Sequence, residues 1–152
     1  MRMKLNKIII LISVVILFLV VFSIMTNKSS SLQKACIENK SCFNIEIADT
    51  ANQRATGLSM KKFLNKGDAM LFIFPEKTIP GFWMKDMKFP IDIIWINESW
   101  KITGIEKNMQ PCEGNLCPLV YPKEKIMYVL EINSGLSDKY GFKDGDSVHL
   151  EQ

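Results

Sequence analysis

The hydrophobic pattern of the chain begins with a block and then turns to alternation. Ile8 to Met25 is an apolar run of 18 residues broken only by Ser13 and Ser23, with Lys4 and Lys7 before it and Lys28 after it. As a helix the run would span roughly 27 Å, enough for most of a bilayer core. Residues 1–7 therefore read as a cytoplasmic basic tail, 8–25 as a transmembrane signal anchor, 26–35 as a polar linker and 36–152 as an extracytoplasmic β-rich domain. The orientation follows from basic flanks staying on the cytoplasmic side. A cleaved signal peptide is the rival reading, with Ser29–Ser31 as its small-residue cleavage site, but its apolar core is usually only about 7–15 residues long. Cys36 follows Gln33-Lys34-Ala35, which is no lipobox, so a lipoprotein is not expected.

Beyond the linker, Phe43, Ile45 and Ile47 alternate with Asn44, Glu46 and Ala48, the signature of a half-buried strand. Thr50 and Gln53 form a capping box and Gly57 offers a left-handed stop, so a short helix is predicted over Ala51–Thr56. Further strands are predicted over Ala69–Phe74, ended by Pro75, and over Phe82–Met87, Ile91–Ile96, Trp100–Met109, Ile126–Asn133 and Ser147–Glu151. Ile79-Pro80-Gly81-Phe82 and Asn97-Glu98-Ser99 carry turn chemistry, and Gly135–Tyr140 reads as one more helical turn. The expected fold class is mostly β: a compact sandwich or barrel-like single domain with one or two short helices, preceded by one N-terminal transmembrane helix.

Charge removes one class of partner. Three of the 19 basic residues lie in the first seven positions, which leaves 16 Lys and Arg against 16 Asp and Glu after Met25. A balanced domain gives no basis for nucleic-acid binding. The four cysteines, Cys36, Cys42, Cys112 and Cys117, suit disulfides in an exported domain. Three pairings are open, and the local pairs are favoured, each contributing about 2 kcal/mol through so short a loop. Zinc held by C-x5-C and C-x4-C is the alternative, with spacings looser than the usual knuckle. No cofactor is expected.

Several motifs occur in a specific order. They are Arg54-x-x-Gly57-Leu58-Ser59-Met60, Met70-Leu71-Phe72-x-Phe74-Pro75, Phe82-Trp83-Met84-Lys85-Asp86-Met87, Pro90-Ile91-Asp92, Leu130-Glu131-Ile132-Asn133-Ser134-Gly135 and Gly141-Phe142-Lys143-x-Gly145-Asp146. This series, covering Phe43 to Leu150, resembles the family called domain of unknown function 192. The resemblance implies a compact β-rich domain, often exported, and implies no activity, substrate or cofactor. Asp86-Met87 departs from the Asn-Thr usual at that point.

Candidate chemistry centres on charges that the strand pattern buries. Arg54 is the one Arg among fifteen Lys after Met25, and its planar fork of donors suits a carboxylate or phosphate. Asp92 shares a strand face with Ile94 and Ile96, and Glu131 shares one with Met127 and Val129. Both strands are apolar on their other faces too, so these carboxylates need partners. In the structural reading Arg54 pins the short helix to the sheet through Asp92 or Glu131; in the functional reading the same groups floor a ligand cleft. Trp83 and Lys85 share one side of their strand, opposite Phe82 and Met84, and form a second candidate, a recognition patch for a peptide or sugar, against which the favoured reading is that Trp83 simply caps the core. Met60, Met70, Met84 and Met87 raise Cu(I) binding, against which ordinary core filling stands. His149 is the only histidine and sits in no catalytic motif; Asn27, Asn39 and Asn97 head N-x-S sequons.

The expected function is non-catalytic: a membrane-anchored binding module, held in the bilayer by residues 8–25 and engaging an envelope protein, peptide or glycan through Arg54, Trp83 and Lys85. The alternative is a small hydrolase of envelope glycans using Asp92 and Glu131 as paired carboxylates.

Overall fold

Alternating strands dominate the computed structural model, which describes residues 33–151 apart from 115, and of the earlier stretch position 16 alone. The predicted anchor, the basic tail and most of the linker lie outside the described residues. Among those described, no helix is long and apolar enough to cross a membrane.

The elements run β1 (Lys34–Ile37), β2 (Ser41–Ala48), α1 (Ala51–Thr56), β3 (Asp68–Thr78), β4 (Phe82–Trp83), β5 (Ile91–Ile96), β6 (Ile102–Met109), β7 (Leu119–Val120), β8 (Ile126–Asn133), α2 (Leu136–Tyr140) and β9 (Val148–Glu151). Seven strands form one sheet in the order β6-β5-β8-β3-β2-β1-β9, and β4 pairs with β7 in a separate small sheet. Neighbours are antiparallel except β2 and β3. A parallel pair requires a crossover, and α1 with the loop after it supplies one.

The large sheet curls into a half-barrel whose outer strands meet at one corner. There Ile102 N–H donates to the Asp146 carbonyl at 3.0 Å, Gly145 N–H to Ile102 and Val148 N–H to Trp100, both at 2.8 Å. Phe43, Leu71, Ile94, Leu130, Ile132 and Phe142 fill the inside of the curl. Phe72, Met84, Ile93, Trp95 and Val129 form a second core on the outer face, packed against Leu58, Phe82 and Val120. All six residues of β5 are buried, as a strand sandwiched between two cores must be.

The helix prediction holds in its bounds and its capping box, while Gly57 stops the helix at positive φ but outside the left-handed helical region expected for it. Thr50 Oγ1 accepts from Gln53 N–H at 3.3 Å, and Gln53 Oε1 accepts from Thr50 N–H at 3.0 Å. Gly57 ends α1 at φ +50°, where a side chain would be strained and its Cβ would meet the Phe72 ring at 3.3 Å. Both disulfides are local: Cys36–Cys42 joins directly opposed residues of β1 and β2, and Cys112–Cys117 closes the loop before β7.

Other elements differ from the sequence reading for identifiable reasons. β1 starts inside the predicted linker, because polar Gln33 and Lys34 mask a strand whose Ala35 is buried between β2 and β9. β3 continues past Pro75, which falls between Ile73 and Thr78 where the ladder to β8 shifts register, so the missing N–H breaks no ladder bond. The strand expected over Phe82–Met87 is a strand only at Phe82–Trp83, followed by a single bridge from Lys85 to Cys112, and the chain turns at Asp86 with φ +61°. Trp100 lies in a turn at φ +56°, held by Asn97 Oδ1 accepting from Ser99 and Lys101 N–H, so β6 begins at Ile102.

Candidate functional site

The register between β5 and β8 decides what the two buried carboxylates can do together. Asp92 stands opposite Ile132, whereas Glu131 stands opposite Ile93 on one side and Met70 of β3 on the other. Successive residues of a strand face opposite ways, so Asp92 points into the curl and Glu131 to the outer face. Paired carboxylates for glycoside hydrolysis are thereby ruled out for Asp92 and Glu131, which are separated by the sheet itself.

Asp92 is fully buried and fully employed. Its Oδ1 accepts from Asn108 N–H at 2.9 Å and Gly135 N–H at 3.2 Å, and its Oδ2 accepts from Ser137 N–H at 3.0 Å. The carboxylate thus ties the far end of β6 to the first turn of α2, where unpaired helix N–H groups attract an anion. Its role is structural.

Glu131 is 5% exposed, and among the described residues its carboxyl has no hydrogen-bond or ionic partner. Burial alone raises its pKa from 4.5 to about 8, so at neutral pH it is a carboxylic acid rather than a carboxylate.

Arg54 makes neither of the carboxylate pairings expected for it. Its Nη1 donates to the Ile73 carbonyl of β3 at 2.9 Å and to the Asp49 carbonyl before α1, with the guanidinium 5.4 Å from the centre of the Phe74 ring. It pins α1 to the sheet through backbone oxygens, a contact that side-chain charge counting could not reveal. Its Nε and Nη2 bond to none of the described residues.

After the Pro-Gly turn, alternation sends Phe82 and Met84 inward and Trp83 and Lys85 outward. Phe82 packs edge-on to Phe72 and Trp95 at 5.1 and 5.3 Å. Trp83 is half exposed, with Lys85 Nζ 5.5 Å from its ring centre. The disulfide loop fixes this segment: Cys112 N–H donates to the Met84 carbonyl at 3.0 Å, and Asp86 N–H donates to the Cys112 carbonyl at 3.3 Å.

These pieces meet in a cleft of about 500 Å³ on the outer face. Arg54 comes to it from α1, Phe72 and Phe74 from β3, Trp83 and Lys85 from the β4 segment, and Glu131 from β8. Arg54, Trp83, Lys85 and Glu131 converge there, with Met87 of the methionine set also in the lining, and Asp92 does not. Asp86 also lines the cleft; its departure from the usual Asn is legible in sequence, whereas its positive φ away from glycine is not.

The profile of DUF192, described as an uncharacterized ACR, matches residues 34–150. The chain belongs to the DUF192 family. Two solved structures share the fold of this DUF192 domain. One, a protein of unknown function from Novosphingobium aromaticivorans, is 27% identical with a TM-score of 0.71, and the match covers 81% of this chain and 89% of that one. The other, from Sinorhizobium meliloti and provisionally described as a transcription regulator, is 25% identical with a TM-score of 0.71 over 77% of this chain and 92% of that one. No curated protein matches the chain.

The remaining candidates lie apart from the cleft or inside the core. Met70, Met84 and Met87 pack among apolar residues of the outer-face core, while Met60 is exposed, so the thioethers do not converge. Among the described residues, Cys36, Cys42 and Glu151 have metal-like proximity, but both sulfurs are spent in one disulfide. His149 is exposed on β9, with Nε2 3.4 Å from Glu151 Oε1.

Proposed function

We propose that this DUF192 domain is a non-catalytic binding module, tethered to a membrane on its extracytoplasmic side, that takes an envelope component into the cleft beside Trp83 and Lys85. One observation carries the reading. Glu131 is buried at the cleft without a hydrogen-bond or ionic partner among the described residues, although a partnerless buried acid costs stability that an apolar residue would not. Such groups are retained where a ligand completes them, and this one sits with a fixed guanidinium and an exposed indole.

The tether and compartment rest on the apolar run 8–25 behind basic residues and on two local disulfides, which persist in oxidising surroundings. The regulator description of the Sinorhizobium protein is not extended to this chain, because 16 basic residues against 16 acidic ones after Met25 leave no excess positive charge for nucleic acid.

A photo-crosslinking residue placed at Trp83 in living cells tests the reading, with Lys139 on α2 as the distant exposed control. Adducts are expected from position 83 and not from position 139. Equal labelling at both positions would refute the cleft as the binding site.

A further inference from the structure

The cleft has a lopsided chemistry that narrows its occupant. Its surface is more apolar than polar, with Phe72, Phe74, Trp83 and Leu119 on the apolar side and Arg54, Thr56, Ser59, Lys85, Asp86 and Glu131 supplying the polar share. The aromatic part desolvates an apolar body at little cost, and the charged part is left for a polar head.

The charges favour an anion. Among the described residues that line the cleft, the cations Arg54 and Lys85 outnumber the anion Asp86, because Glu131 holds its proton at neutral pH. The guanidinium is oriented in advance by the Asp49 and Ile73 carbonyls and by the Phe74 ring, so little freedom is lost when its open edge meets a carboxylate or phosphate.

The apolar surface also continues over the lip. Ile79, Trp83, Leu116, Leu119 and Tyr121 are exposed large hydrophobics from two segments that β4 and β7 bring together, where Trp83 pairs with Leu119. Resting on the cleft reading above, we propose that the ligand is an amphipathic anion, its acid head held by Arg54 and Lys85 over Glu131 and its apolar body laid across Trp83 and Leu119.

Two sources share that chemistry, a membrane lipid and a free organic acid. The test uses the full chain in phosphatidylcholine nanodiscs, titrated calorimetrically with 4-phenylbutyrate, its amide 4-phenylbutyramide, and butyrate. The aromatic acid is expected to bind roughly tenfold or more tighter than either comparator, one lacking the charge and the other the apolar body. Arg54→Gln should bring the acid down to the level of the amide. Lys85→Gln, a near-isosteric change at a half-buried side chain, should weaken the acid far more than the amide.

The charged groups that line the cleft with Glu131 are Arg54 from α1 and Lys85 and Asp86 after β4, while β3 and β5 set Met70 and Ile93 opposite it in the sheet. Ionisation of Glu131 would place a negative charge beneath the acid head, so affinity should fall above about pH 8 and Glu131→Gln should flatten that fall. Phosphatidylglycerol in the discs should compete if the ligand is a lipid and leave the titration unchanged if it is a free acid; the preference for the anion is required in both cases. Equal binding of acid and amide overturns the proposal, as does an acid affinity untouched by both Arg54→Gln and Lys85→Gln. If no probe binds while position 83 still crosslinks a cell component, the amphipathic anion is wrong and the binding module stands.

Discussion

Glu131 and Asp92 show how differently two buried carboxylates behave in one sheet. Glu131 titrates near 4.5 when exposed and near 8 in the fold, so between those values the native state keeps a proton that the unfolded chain has lost. Raising the pH across that window therefore favours unfolding, by roughly 1.4 kcal/mol per pH unit. Wild type should lose stability relative to Glu131→Gln from about pH 4.5 to 8 and then level off. Urea denaturation of both proteins across the window reads this directly, and a flat difference would show that the acid is solvated or paired. Asp92→Ala leaves three backbone N–H groups without their acceptor and should cost roughly 3 kcal/mol or more at neutral pH in the same assay. Arg54→Ala strips two carbonyl contacts, one of them exposed, and the contact with the Phe74 ring, and should cost about 1–2 kcal/mol. That ordering separates the observed structure from one in which Arg54 neutralises a buried carboxylate, where its loss would be the costlier. Burial of both acids was legible from apolar neighbours at strand spacing. Their partners were not, because backbone N–H and carbonyl groups leave no trace in residue identity.

At the scale of elements, local rules succeeded where a few adjacent residues contain the whole cause. The capping box at Thr50 and Gln53 is such a case, and Thr50→Ala should cost about 1 kcal/mol by thermal melting. Pairing partners distant in sequence were the source of the misreadings. The short strand β7 carries no periodic signal of its own and exists because β4 lies beside it. The Cys112–Cys117 loop links this small sheet to the cleft by holding Met84 and Asp86 through the backbone of Cys112. Replacing both cysteines by serine should cost about 2 kcal/mol of stability. It should also loosen the Trp83–Lys85 rim, so adduct yield from a crosslinker at position 83 should drop while the β5–β8 core keeps its amide-exchange protection. Unchanged crosslinking in the reduced variant would mean the rim is held by packing alone.

For the molecule as a whole, curling brings the segments before β6 and β9 together and leaves two cores, one inside the curl and one outside. The cleft belongs to the outer core, which the small sheet and the loop after α1 cover only partly. If the proposed topology holds, a C-terminal tag should be digested by protease added to intact spheroplasts, and the cysteines should resist alkylation until a reductant is supplied. A shielded tag would place the domain on the other side. The sequence by itself determined the strand-rich class, α1 with its caps, the central strands Ile91–Ile96 and Ile126–Asn133, and the DUF192 motif order, because each is written in side chains a few positions apart. Only the tertiary structure decided that Asp92 and Glu131 face opposite ways, that Arg54 grips carbonyls, and that Arg54, Trp83, Lys85 and Glu131 border one cleft. Those outcomes hang on strand register, and a shift of one residue between β5 and β8 would bring both carboxylates onto one face of the sheet.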